Sequence, residues 1–161
     1  MSSTEPALVE IIGRHRLIQE LLSVGLEVAV PQRDRGIDLI AYVDRDSRVS
    51  TFVAVPIQMK AATGRSFSIN RKYAPFRNLL HAFVWGLGGG AEPVTYALTQ
   101  AEALAIGESM GWTKTESWRQ TGLYTTQQPS KRLLAHLEPY RMTPEAWWKK
   151  ATGLAASGRG A

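Results

Sequence analysis

Two short apolar runs, each with a polar group set against it, constrain this chain more than anything else in its sequence. Gly36-Ile37-Asp38-Leu39-Ile40-Ala41-Tyr42 holds a carboxylate inside an otherwise greasy stretch, and Phe52-Val53-Ala54-Val55-Pro56-Ile57 leads straight into Gln58-Met59-Lys60. Runs of this length rich in Val, Ile, Phe and Tyr are strands, and strands are predicted over 26–30, 37–43 and 49–59. The wholly polar Asp44-Arg45-Asp46-Ser47-Arg48 suits a hairpin between antiparallel neighbours. Alternation along a strand sends Gln58 and Lys60 to one face and Met59 to the other. An amide and an ammonium therefore emerge together near the edge that carries Asp38.

Around these strands the sequence predicts a single α/β domain over 1–152, with a mixed central sheet flanked by helices and a C-terminal helical layer. A first helix starts with Thr4 as cap and Pro6 in its first turn. It repeats Leu8, Ile11, Ile12, Leu17, Ile18, Leu21 and Leu22 at three- and four-residue spacing and ends at Gly25. A short strand at 66–69, two more at 80–85 and 94–99 joined by a Gly86–Pro93 turn, and helices at 100–109, 130–137 and 144–151 complete the reading. The small, polar stretch 153–161 reads as a fraying tail.

Composition removes several classes of function. The 161 residues are 44% apolar and 20% charged, with no cysteine, so disulfides and thiolate zinc sites are excluded. No apolar run reaches the roughly 20 residues of a spanning helix, and the polar N-terminus does not read as a secretion signal, so no membrane partner and a cytoplasmic location are the expectation. His15, His81 and His136 lack metal-ligand spacing. Gly107-Glu108-Ser109-Met110-Gly111 has the letters of a nucleophile elbow but follows a helical pattern, and Gly86-Leu87-Gly88-Gly89-Gly90-Ala91 has those of a dinucleotide loop but precedes a strand.

The net charge of +5 is unevenly spread. From Ser47 to Ala91 there is no Asp or Glu, while Arg48, Lys60, Arg65, Arg71, Lys72 and Arg77 all fall there. That points to a polyanion. Arg35, Arg65, Ser66, Arg71 and Lys72 are the candidate phosphate contacts, with Phe67 and Tyr73 interleaved among them as groups on which bases stack. Trp147-Trp148 is a candidate partner or dimer surface.

The order of Glu10 on a helix, then Gly25, then Pro31-Gln32-Arg33-Asp34-Arg35-Gly36-Ile37-Asp38-Leu39, then Gln58-Met59-Lys60, resembles the PD-(D/E)xK, or restriction-endonuclease-like, superfamily. Its Holliday junction resolvase branch is the nearest in pattern, and the resemblance covers mainly residues 8–61. It implies a restriction-endonuclease-like core and Mg²⁺-dependent (or Mn²⁺-dependent) hydrolysis of DNA phosphodiesters. Asp38, Gln58, the Met59 carbonyl and Glu10 would be the metal ligands, with Lys60 as the charged partner and a homodimer addressing two strands. Glu20 is the rival helix carboxylate. Ile37 replaces the Pro of the family's name, and Gln58 stands where most members carry an acid. A hard ion takes one or two carboxylates, so a neutral amide in that place weakens its hold. A catalytically silent nucleic-acid-binding or interaction module on the same fold is the alternative.

Overall fold

The computed structural model describes residues 5–157 as a mixed α/β fold. Helix α1 (Pro6–Ser23) has Pro at its first position, where the missing N–H costs nothing, and the chain turns out of it at Gly25 with φ 88°. Thr4, expected as its cap, lies outside the described residues; the N-cap position is Glu5, whose side chain makes no capping bond. Then follow β1 (Glu27–Ala29), β2 (Leu39–Val43), β3 (Val53–Ala61), β4 (Phe67–Asn70), a 3₁₀ turn (Arg71–Tyr73), β5 (Leu80–Trp85) and β6 (Val94–Thr99). Helix α2 (Gln100–Ser109) opens on a capping box between Thr99 and Glu102. Two elements absent from the sequence-based expectation come next, α3 (Glu116–Thr121) and β7 (Leu123–Thr126), before α4 (Lys131–Leu137) and α5 (Pro144–Ser157). Helix α5 continues through the first part of the stretch expected to fray, and Leu154 packs against the core.

Five strands form one sheet in the order β1-β2-β3-β5-β6, antiparallel except for the parallel pair β3–β5. The register is what positions the site. Leu39 pairs with Ile57, so Asp38 falls opposite Gln58 one step beyond the end of β2, and Gln58 and Lys60 lie beside His81 and Phe83 of β5. The chain returns from β3 to β5 through β4, which pairs with β7 in a small second sheet, and through the 3₁₀ turn, with no helix in the crossover.

Two apolar cores sandwich the sheet. Val55, Ile57 and Met59 of β3, with Leu39 and Ala41 of β2, face Leu17 and Leu21 of α1 and Trp147 of α5. Phe83 and Trp85 of β5, with Leu98 of β6, face Phe67 and Ile69 of β4, Trp112, Trp118 and Leu137. Strand β5 is buried at every position, as a strand covered on both faces must be. Gln58 and Lys60 therefore point toward the second layer, at its border with β2.

Helix α1 reaches this border because Gly13 has no side chain. A Cβ there would lie 2.6 Å from the Cβ of Ala61, well inside contact, and Met59 and Leu87 crowd the same spot. Glu10, one turn earlier, is thereby carried to the end of β3. Gly13→Ala is expected to push α1 off the sheet and cost about 1–3 kcal/mol despite alanine's higher helix propensity. Chemical denaturation checks this: Ala61→Gly in the same chain should recover part of the loss as a favourable coupling, and additive losses would refute the close-approach account.

Candidate functional site

Strand β2 begins at Leu39, and the residue before it replaces one rung of the ladder with a side chain. Asp38 N–H donates to the Ile57 carbonyl at 2.9 Å, and its Oδ2 accepts from the Met59 N–H at 2.7 Å. The two main-chain dipoles of a strand residue point to the same neighbour, so the Met59 carbonyl is directed to the side of Asp38 as well. The other carboxylate oxygen, Oδ1, has no hydrogen-bond partner among the described residues. Burial, with the nearby Asp34 and Glu10 carboxylates, pushes the Asp38 carboxyl above its ordinary pKa, against the pull of the Met59 N–H and Arg14.

An open cavity of about 420 Å³ collects the expected residues. Glu10, Asp38, Gln58, Met59, Lys60 and Ser66 all line it, joined by Asp34. Lys60 is half-buried there, and burial, then the neighbouring Lys72, pull its ammonium pKa down. Glu10 and Glu20 separate cleanly. Glu10 stands at the cavity, exposed, with Arg14 Nη2 on its Oε1 at 2.8 Å. Glu20 is half-buried on the far side of the sheet, accepting from Thr95 Oγ1 at 2.8 Å, Trp147 Nε1 at 3.0 Å and Arg16 Nε at 3.1 Å.

Gln58 turns out to be engaged at both ends of its amide. Its nitrogen meets the Tyr73 hydroxyl, and its oxygen lies 3.1 Å from His81 Nδ1. On the far side, His81 Nε2 is 2.9 Å from Gln100 Oε1, while Gln100 Nε2 donates to the Asn70 carbonyl at 2.8 Å. A neutral imidazole has one N–H and cannot serve two oxygens. Gln100 is pinned by Asn70, so that proton belongs on Nε2. A neutral His81 then requires the Gln58 amide to make a half-turn, giving its N–H to Nδ1 and its oxygen to the Tyr73 O–H. Either way one lone pair of the Gln58 oxygen is committed.

The nucleic-acid-contact candidates divide. Arg35 is exposed between Asp34 and Gly36, both of which line the cavity, and Lys72 is exposed close enough to lower the Lys60 pKa. Arg65 is exposed and Ser66 half-buried at the cavity, its carbonyl taken by Trp85 Nε1. Arg71 is different: its guanidinium donates to the Trp118 carbonyl at 2.7 Å and sits over the Trp118 ring, so it clamps α3 to the second sheet. Phe67 and Tyr73 are 0% and 6% exposed and have no face left for a base. Trp147 is buried likewise, whereas Trp148 is half-buried with the Arg48 guanidinium 3.5 Å from its ring centre and lines an open cavity beside Val24 and Pro144.

Asp34, Arg14, His81 and Gln100 were missed from sequence. Asp34 stood in the quoted motif without a role, and His81 lay inside a fully apolar strand pattern, where its burial was legible and its partners were not. Among the described residues no helix is long and apolar enough to cross a membrane, and no three His, Cys, Asp or Glu converge closely enough to hold a metal ion by themselves. Comparisons with family models, with curated proteins and with solved structures returned no match.

Two titrations follow from this geometry. Burial pulls the His81 pKa down to about 4 from 6.5, the Gln100 bond opposing and Lys60 adding. The unfolded chain then binds more protons than the folded one between those values, so stability is full above about pH 6.5 and falls as the pH drops toward 4. The loss is on the order of 2–3 kcal/mol. Urea unfolding across that window checks it, and His81→Gln should flatten the slope. Asp38 runs oppositely: its raised pKa makes the charged form costly, a cost absent below the unfolded pKa and fully present above the folded one. Asp38→Asn should therefore melt roughly 1–3 °C higher at pH 7, the gap closing on acidification; a lower Tm would contradict the account.

Proposed function

We propose that this protein is a metal-dependent endonuclease that hydrolyses phosphodiester bonds in DNA. One observation carries the reading: Asp38 and Lys60, the acid and cationic partner that the family resemblance implies, line one open cavity with Met59 between them and Glu10 and Asp34 at its rim. A free carboxylate oxygen, a main-chain carbonyl and further carboxylates whose like charge opposes ionisation of Asp38 make a donor set that suits a hard divalent cation. With Gln58 committed to Tyr73 and His81, and Glu10 to Arg14, the chain supplies only part of a coordination shell. Water and the substrate phosphate would supply the rest.

Asp38, through Oδ1, and the Met59 carbonyl are the residues that would hold the ion, with Asp34 and Glu10 as outer carboxylates. A bound divalent ion supplies Lewis-acid polarisation of the phosphate and acidification of a water. The remaining work belongs to side chains. Lys60 neutralises charge on a phosphate oxygen and orients the attacking water. The oxygen that leaves as the P–O bond breaks takes its proton from solvent. The attacking water gives its oxygen to phosphorus, and its proton passes to solvent.

The same Gln58 geometry favours a second reading, a nucleic-acid-binding module that keeps the fold and does not cut. One experiment separates them: supercoiled and branched DNA incubated with Mg²⁺, Mn²⁺ or EDTA, beside Asp38→Ala and Lys60→Ala. The nuclease reading expects metal-dependent nicking that each substitution lowers at least about 100-fold while DNA binding stays within a few fold. Salt-sensitive binding without nicking in any metal would support the module instead.

A further inference from the structure

The cavity at Asp38 does not end at Lys60. It shares Pro6, Ala61, Ala62 and Ser66 with a second cavity of about 500 Å³ that follows the connection from β3 to β4 as far as Thr63, Gly64 and Arg65. Arg65 is the one charged residue among those lining this second cavity, which has no acid to repel an anion.

The backbone decides what faces it. The Ala62 carbonyl accepts from Leu87 N–H and the Gly64 carbonyl from Gly86 N–H, each at 3.1 Å, and the Ser66 carbonyl accepts from Trp85 Nε1 at 2.8 Å. Within a planar trans peptide the carbonyl and the next N–H point in opposite directions. Tying the carbonyls of Ala62 and Gly64 to the end of β5 therefore turns the N–H groups of Thr63 and Arg65 the other way, toward the cavity these residues line. Neither N–H has a hydrogen-bond partner among the described residues, and neither has the Ser66 hydroxyl. At Gly64, between them, a Cβ would meet nothing within 4 Å, so the approach to the two amides is open.

We propose that Thr63–Arg65 is a phosphate seat, built from two main-chain N–H groups and the Arg65 guanidinium, for a nucleic-acid strand whose next phosphate lies at Asp38 and Lys60. The placing of that neighbouring phosphate rests on the nuclease reading; the seat's own donors do not. A strand fits better than a free anion because the two cavities run into one groove, and one exposed guanidinium with two amides gives a lone phosphate little.

Anisotropy of labelled single-stranded and duplex oligonucleotides, in EDTA and again in Ca²⁺, tests the seat, with inorganic phosphate as competitor and Lys131→Ala of α4 as control. Arg65→Ala should weaken binding about tenfold and reduce the slope of log affinity against log salt by about one. Gly64→Val, at a position outside the left-handed region and with room for the side chain, should weaken binding without changing that slope. The control should bind like the wild type. Wild-type affinity in both loop variants, an unchanged slope in Arg65→Ala, no oligonucleotide binding at low salt, or equal competition by inorganic phosphate at matched phosphate concentration would each overturn the proposal. Weakened binding by these variants in a protein that never nicks DNA would leave the seat standing and remove the nuclease.

Discussion

The bond from the Met59 N–H to the Asp38 carboxylate, at 2.7 Å, is where fold and site become one problem. Strand β2 pairs with β3 only from Leu39 onward, and β3 runs several residues further. Its exposed N–H groups beyond that point need an acceptor or water. Asp38 supplies one by side chain instead of main chain, which fixes the carboxylate in the plane of the sheet and leaves Oδ1 free. A neutral residue there would satisfy the same N–H with less desolvation. Among the described residues only the Met59 N–H and Arg14 offset the cost of that charge, and a cation bound there, as proposed above, would account for it.

Around that bond the structure uses its polar groups to hold other polar groups. Gln58 sits on Tyr73 and His81, His81 on Gln100, and Gln100 on the Asn70 carbonyl, so the chain of contacts runs from the cavity wall through β5 to α2 and back to β4. A buried network is worth keeping only when each member is satisfied, and here the single N–H of a neutral imidazole dictates the direction of every bond in the line. The second layer, lacking a helix in the β3–β5 crossover, gains its rigidity at this point from amides and an imidazole.

How much of this was legible can be judged from particular residues. The strands at 80–85 and 94–99 and the helix at 100–109 emerged with the observed bounds because each is a dense apolar or periodic run between turn residues. The facing of Gln58 and Lys60 followed from alternation alone. Strand β7 and helix α3 did not emerge. Leu123-Tyr124-Thr125-Thr126 carries one strong apolar residue and owes its conformation to pairing with β4, more than fifty residues away in sequence, and Glu116–Thr121 is six residues long, too short for a period to declare itself. Glu10 and Glu20 illustrate the same limit within one helix. Their spacing says which faces they occupy and nothing about what waits there, and only the placement of α1 by Gly13 brings one to the Asp38 cavity and the other to Thr95 and Trp147.

The acid-free stretch from Ser47 to Ala91 shows why charge counted along a chain misleads about charge in space. Arg48 leaves the pool for Asp46 and the face of Trp148, and Arg71 for the Trp118 carbonyl and ring. Each guanidinium is planar and weakly hydrated, so it serves as packing material where a lysine would not. What remains near the cavity is Lys60, Lys72, Arg35 and Arg65, and Lys72 lies close enough to Lys60 to lower its proton affinity. The two ammonium groups repel one another in the free protein, beside the Asp38, Asp34 and Glu10 carboxylates that line the Lys60 cavity. An anion bridging them would relieve that cost, and this is the sense in which the proposed phosphate-bearing partner fits the groove.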